Sequence, residues 1–260
     1  NILIDGEVWM GSAQDMNDMS EITHGHHQII EALRVSSIYT KFMETLARID
    51  PQFPVEFYKV LERLYQKQIN GTYITCVSTH HLADDSNGRL SMWREYARND
   101  GVAIVLDRSA FLDENGPYQV FGLSANYFTK ATFREHFLEL LGHLDQSIAA
   151  HPEINKQKWQ QLLAQVFYFL TLSMKHPSFE EEREWRAICS PSYFGETPEL
   201  RQFNPPHDLS KNMYKFHLSS YCPEEGSDGF FRKYLKGIII GPSQNADGNH
   251  QTFVNLLTCE

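Results

Sequence analysis

Residues 179–188 read Phe179-Glu180-Glu181-Glu182-Arg183-Glu184-Trp185-Arg186-Ala187-Ile188, and Cys189 follows. Four of the first six residues are acidic, then the run turns apolar. A strand that begins at Glu184 puts Glu184, Arg186 and Ile188 on one face, and Trp185, Ala187 and Cys189 on the other. The second set is the expected core face. Carboxylates gathered at the mouth of a strand either form a salt-bridged Glu184–Arg186 edge or aim into a cleft from a rigid support. Spacing leaves both readings open, because structural ion pairs and reactive carboxylates look alike in sequence.

Outward from this strand, "GEVWMGS" (6–12) predicts a strand and "QDMNDMSE" (14–21) a polar loop in which Asn17 or Asp18 can cap a helix. Residues 22–48 read as helix with a break near Val35-Ser36-Ser37, and two prolines interrupt at 50–54. Helical spacing returns over 55–69, followed by strand 72–78. "LSMWREYAR" (90–98) predicts a short helix with Leu90, Trp93, Tyr96 and Ala97 on one side, and "VAIVLD" (102–107) a strand buried on both faces. Two strands are expected within 118–129, then long helices near 131–149 and 153–174 around Pro152. After strand 184–190, strands at 214–220 and 236–242 flank a small helix near 227–234. The expected architecture is α+β: a single domain over 1–260, with a mixed sheet and a helical insertion at about 131–175.

Composition narrows the function classes. The formal net charge of −10 argues against broad nonspecific binding to nucleic acid. No apolar run approaches the ~20 residues of a membrane span, so no membrane partner is expected. No signal peptide pattern is present, and because residue 1 is Asn the natural N-terminus is expected upstream. Cys76, Cys189, Cys222 and Cys259 stand far apart without a Cys-x-x-Cys spacing, which fits scattered buried thiols in a reducing cytoplasm.

Other stretches offer weaker sites. His24, His26 and His27 lack the i, i+4 spacing that two ligands on one helix face need, so no metal is expected there. "DDSNG" (84–88) lacks the alternating acids and twelfth-position glutamate of a calcium loop. "GPSQNADGN" (241–249) could cradle phosphate but has no Gly-Lys-Ser/Thr ending. Arg94 could hold an anion or pair with a nearby acid. By contrast, the Glu182-x-Glu184 pair suits a specific chemistry. One carboxylate can accept a hydrogen bond from a sugar hydroxyl and stabilise a developing oxocarbenium charge. The other can orient or deprotonate a nucleophile.

Five ordered motifs, carried by "GEVWMGSAQDMNDMSE", "CVSTHHLADDSNGRLSMWREYARNDGVAIVLD", "FEEEREWRAI" and "LKGIIIGP", resemble the prokaryotic family known as domain of unknown function 2971. The likeness runs from about residue 6 to about residue 242, with no motif in 131–175. That family usually carries one more strand upstream. A remoter resemblance is to ADP-ribosyltransferases, which place a catalytic Glu, often as Glu-x-Glu, at the start of a late strand. It implies an ADP-ribosyltransferase-like core and NAD as substrate. It implies that Glu184 holds the nicotinamide ribose and stabilises the oxocarbenium ion, with Glu182 assisting the acceptor. Trp9 or Met10 would fall near the nicotinamide-stacking aromatic and Ser12 near the following small polar position. Asn17, Asp18, Trp93, Arg94 and Arg186 complete the expected NAD-binding set.

Three functions follow as expectations. The first is an NAD-consuming transferase, such as a toxin or phage-defence effector with an antitoxin or defence-system partner, acting on an unidentified protein or nucleic-acid acceptor. The second is a non-catalytic protein that binds a nucleotide, nucleic acid or partner on a transferase-like scaffold. The third is a metal-dependent nuclease or hydrolase built on Asp18, Glu21 and the Glu run, for which the sequence shows no metal spacing.

Overall fold

The computed structural model describes residues 2, 6–15, 21–84, 86–97, 101–111, 121–195, 201–205, 211–217, 229, 232–243 and 246–258. In chain order the elements are β1 (Glu7–Ser12), α1 (Glu21–Leu33), α2 (Ser36–Ala47), α3 (Phe53–Gly71), β2 (Tyr73–Ser78) and α4, a turn over Leu90–Met92 that widens into a π-turn over Trp93–Ala97. They continue with β3 (Val102–Leu106), β4 (Phe121–Ser124), α5 (Lys130–Ala150), α6 (Lys156–Ser173), β5 (Glu184–Cys189) and α7 (Pro191–Phe194). The last are β6 (Arg201–Phe203), β7 (Met213–His217), β8 (Leu235–Ile240) and α8 (Ala246–Thr258). The class is α+β, as expected. No helix among the described residues is long and apolar enough to cross a membrane.

Local chemistry sets the helix ends. The Thr129 side chain accepts from the Thr132 backbone N–H to start α5, and Asn155 accepts from Lys158 to start α6. Pro54 sits in the first turn of α3, where its missing N–H costs nothing. The expected break between the first helices falls at Arg34–Val35.

Six strands form one sheet in the order β4-β5-β2-β1-β7-β6. Every ladder in it is antiparallel, so the expected mixed sheet is corrected. β5 and β2 form its longest described ladder, from Tyr73 opposite Cys189 to Ser78 opposite Glu184. Among the described residues β3 pairs with β8 alone, in a separate two-stranded sheet, and all five of its residues are half-buried. The expected two-sided burial of β3 is therefore corrected: neither of its faces is fully covered, as both faces of a buried strand would be.

The second strand expected within 118–129 is absent from the described part. There, Ala125 N–H donates to Glu184 O, Asn126 N–H donates to Ser173 O, and Lys175 N–H donates to Asn126 O. The chain crosses from β5 to the end of α6 instead of pairing along a strand.

Both faces of β5 are covered. Ile188 and Ile74 share their face with Glu184 and Arg186 and pack under α1, α2, α3, α5 and α6. Ala187 and Cys189 join the smaller cluster of Met10, Tyr73 and Tyr214 behind the sheet. The expected core face is thus the lesser of two, and the charged face lies beneath the helices. The helices at 130–173 supply much of that larger core. Phe167 of α6 meets Phe42, Phe57 and Phe137 edge-on at 6.2, 5.4 and 6.0 Å.

α1 and α6 touch closely at Gly25, where a methyl group would stand 2.1 Å from the Thr171 carbonyl oxygen. In an open helix Gly→Ala gains about 1 kcal/mol. Here Gly25→Ala is expected to lose about 1–3 kcal/mol through overpacking, read as a lower urea midpoint at unchanged m. A midpoint at or above the parent's would contradict this packing.

Candidate functional site

Three segments converge at the β2–β5 end of the sheet. α6 stops at Ser173, and the next residues carry Lys175 under the sheet's edge. A 3-10 turn over Pro177–Glu182 follows, with the His176 side chain accepting from Ser178 N–H at its start. It ends at Arg183 in the left-handed conformation, φ 48° and ψ 51°, the only non-glycine residue at positive φ among those described. That geometry costs a residue with a Cβ about 1–2 kcal/mol. It is held by the Arg183 N–H to Glu180 O and by Thr79 N–H to Arg183 O. The kink lets the chain turn from the cleft wall at Glu182 into the strand at Glu184.

The charged side chains alternate in sign. Arg186 is wholly buried and Glu184 is 4 % exposed. Arg186 Nε donates to Glu184 Oε1 at 2.5 Å, and its Nη1 donates to Leu172 O at the end of α6 at 2.6 Å. Lys175 Nζ donates to Glu184 Oε2 and, at 2.6 Å, to Glu182 Oε2. Tyr96 OH donates to Glu182 Oε1 at 3.0 Å. Cys76, opposite Arg186 on β2, donates its thiol to Glu184 Oε1 at 3.3 Å. The Glu184 backbone N–H donates to Tyr127 OH at 2.8 Å, which explains why 125–127 leaves the sheet. Ser78 Oγ and Arg89 both donate to the Glu182 carbonyl, pinning the wall from below.

These groups line a cleft of about 530 Å³, within the size range of small-molecule sites, roughly 300–1,000 Å³. Glu184, Glu182, Lys175, Cys76 and Ser78 supply its polar lining, and Met92, Tyr96 and Phe179 add apolar surface. Glu95 and Glu181 make the described lining acidic. Burial alone would push the Glu184 carboxyl up. The Arg186 charge and the hydrogen bonds from Lys175 and Arg186 outweigh it, holding the carboxyl below its ordinary value. Loss of water around the hydroxyl at the cleft rim, then its bond to Glu182, pushes the Tyr96 phenol up, although the rest of the side chain is exposed.

Of the residues expected from sequence, Glu182 and Glu184 meet in this cleft and Arg186 lies directly behind them. The other described ones do not join it. Trp9 shares the sheet face of Gly11 and Ile74, but its indole N–H donates to Glu7 and its ring packs edge-on to Phe203 at 5.0 Å. Met10 points the opposite way, into the core behind the sheet. Ser12 Oγ accepts from Gln14 N–H. Trp93 is buried on the far side of α4 with its N–H on Asn87 O, and Arg94 is exposed outside the cleft lining. Asn17 and Asp18 lie outside the described residues. No group of three or more metal-ligating side chains occurs among the described residues.

Sequence reasoning missed Lys175, Tyr96, Tyr127 and Arg89. Tyr96 was expected in a buried helix face, yet it is 58 % exposed and Leu90 57 %, because the π-turn rotates Tyr96 toward Glu182. Cys76 and Ser78 line the cleft without a sequence signal for it; of the thiols expected to be buried, Cys189 is, whereas Cys76 is exposed, and Cys222 and Cys259 lie outside the described residues.

A family model described as protein of unknown function (DUF2971) matches residues 92–187, which supports the family read from the motifs. The matched segment contains Tyr96, Lys175, Glu182, Glu184 and Arg186, and it spans the two helices that carried no motif. No curated protein and no solved structure matches the chain.

Removing one side of a buried ion pair leaves the other charge stranded. Glu184→Gln is expected to lose about 3–5 kcal/mol of stability, and Glu182→Gln about 1 kcal/mol, both read by urea denaturation. Because the folded Glu184 carboxyl titrates below its unfolded value of 4.5, its contribution is complete above that value and fades as pH falls through the lower folded one. The gap between parent and Glu184→Gln should therefore narrow on acidification below about pH 4.5; a gap that stays constant down to pH 3 would contradict the ion pairing.

Proposed function

We propose that the cleft is the reaction site of an NAD-consuming ADP-ribosyltransferase. The observation that carries this reading is that Glu182 and Glu184 both face one cleft from opposite sides of a single buried ammonium, Lys175. The cleft suits the nicotinamide–ribose end of NAD, with carboxylates for sugar hydroxyls and the Tyr96, Met92 and Phe179 surfaces for a flat ring. Lys175, the only cation among the described lining residues, is engaged by carboxylates, so the diphosphate lies outside this cleft in the proposed pose.

In the proposed step the bond from ribose C1′ to the nicotinamide nitrogen breaks, and its electron pair leaves with nicotinamide. The resulting oxocarbenium ion faces the fixed negative charge of Glu184, which needs no reorganisation as the cation develops. An acceptor O–H or N–H then attacks C1′ and passes its proton to Glu182, the carboxylate with the greater exposure, 16 % against 4 %. A cytoplasmic setting, a role as toxin or phage-defence effector and a partner that restrains it belong to this reading.

One observation favours a second reading, a binding protein without turnover. Both Glu184 oxygens already accept donors, from Arg186, Cys76 and Lys175. In that case the charged lining only shapes a pocket for a nucleotide or a partner.

Glu182→Gln is the cleaner catalytic test, since Glu184→Gln unpairs Arg186. Incubation with NAD and a cell lysate should release nicotinamide and yield ribosylated product, and Glu182→Gln should slow product formation about 100-fold or more while its melting temperature stays close to the parent's. Parent protein that releases none, yet melts higher with nucleotide present, would replace the transfer reading by the binding one.

A further inference from the structure

We propose that Lys175 is a positioning residue of this cleft: its ammonium, delivered from the end of α6, fixes the Glu182 carboxylate relative to Glu184. The kinetic consequences rest on the transfer reading above; the geometry does not.

The Glu182 backbone is held by Ser78 and Arg89, but its carboxylate has one described partner besides Lys175, the Tyr96 hydroxyl. It ends a short 3-10 turn and precedes the left-handed Arg183, so its side chain belongs to no strand ladder. One oxygen takes the Tyr96 hydroxyl and the other takes Lys175 at 2.6 Å. Tyr96 itself is largely exposed on the rim of α4. Lys175, by contrast, is 4 % exposed. Its backbone N–H donates to Asn126 O at 3.0 Å, and its ammonium lies 4.9 Å from the Phe179 ring centroid. Its position is therefore set by the fold. The same ammonium bonds Glu184, which Arg186 holds from the other side. Two carboxylates joined by one cation stay close; without it they repel, and the outer one is the one able to swing away.

A group that merely filled space at this position would be replaceable by a neutral chain of similar length. Lys175→Met makes that replacement, and Lys175→Arg restores a cation able to reach both carboxylates. The measurement is formation of ribosylated product from NAD in a cell lysate, with kcat and KM for NAD separated. With Lys175→Met, kcat is expected to fall about 100-fold while KM for NAD changes by less than about threefold. Lys175→Arg should recover kcat to within about tenfold of the parent. Unchanged kcat in Lys175→Met would overturn the inference.

A second readout needs no turnover. In a crystal structure of Lys175→Met the Glu182 carboxylate should have left the Tyr96 hydroxyl; finding it unmoved would overturn the inference. Parent protein that releases no nicotinamide would defeat the transfer reading alone, and the crystal structure would still decide the role of Lys175. Should Lys175→Met not fold, Lys175→Gln, which keeps two N–H donors without the charge, is read by the same two criteria.

Discussion

The interaction on which the rest depends is the buried chain of alternating charges Arg186–Glu184–Lys175–Glu182. Charges removed from water are costly, and they persist only when each is paired and its remaining donors are satisfied. Here that condition is met from three directions. The guanidinium reaches the Leu172 carbonyl, the carboxylate of Glu184 also takes the Cys76 thiol, and the Tyr127 hydroxyl accepts the Glu184 N–H. Each of these partners sits on a different segment. The charge chain therefore specifies how the end of α6, the 125–127 crossing and strands β2 and β5 come together.

That arrangement divides labour between two carboxylates only two residues apart. Glu184 is clamped and nearly out of reach of solvent, and it serves the fold whatever else it does. Glu182 lies one left-handed residue earlier, on the cleft wall, with partners that a substrate could exchange. The strain at Arg183 separates the two environments: a regular strand would have given both residues the same face and similar burial. An acidic lining with an apolar rim then sets what can approach, favouring ligands that bring hydroxyl, amide or cationic groups and flat apolar surface.

Much of the architecture was legible in the sequence, for physical reasons. Helical spacing, the prolines at 51–54 and 152 and the apolar strands around 74 and 188 located nearly every long element, and the Glu182-x-Glu184 pair marked the site. What was not legible depended on contacts distant in sequence. An antiparallel sheet and the placement of the charged face of β5 under the helices are matters of topology, not of local pattern. Tyr96 looked like core because the helical period was assumed to continue, whereas the π-turn changes which side chains share a face. Lys175 carried no signal, since nothing about a lysine between a helix and a proline says that it will be buried between two acids. Trp9 was expected in the site through the transferase resemblance alone; in the structure its ring packs against Phe203 instead.

The most direct test of the account is a double-mutant cycle on Glu184 and Arg186, using Glu184→Gln, Arg186→Met and both together in urea denaturation. Each single change strands a buried partner, so the double variant should be more stable than the sum of the two losses implies, by about 1–3 kcal/mol. Losses that simply add would mean that the two charges do not depend on one another, and the proposed foundation of the site would be wrong.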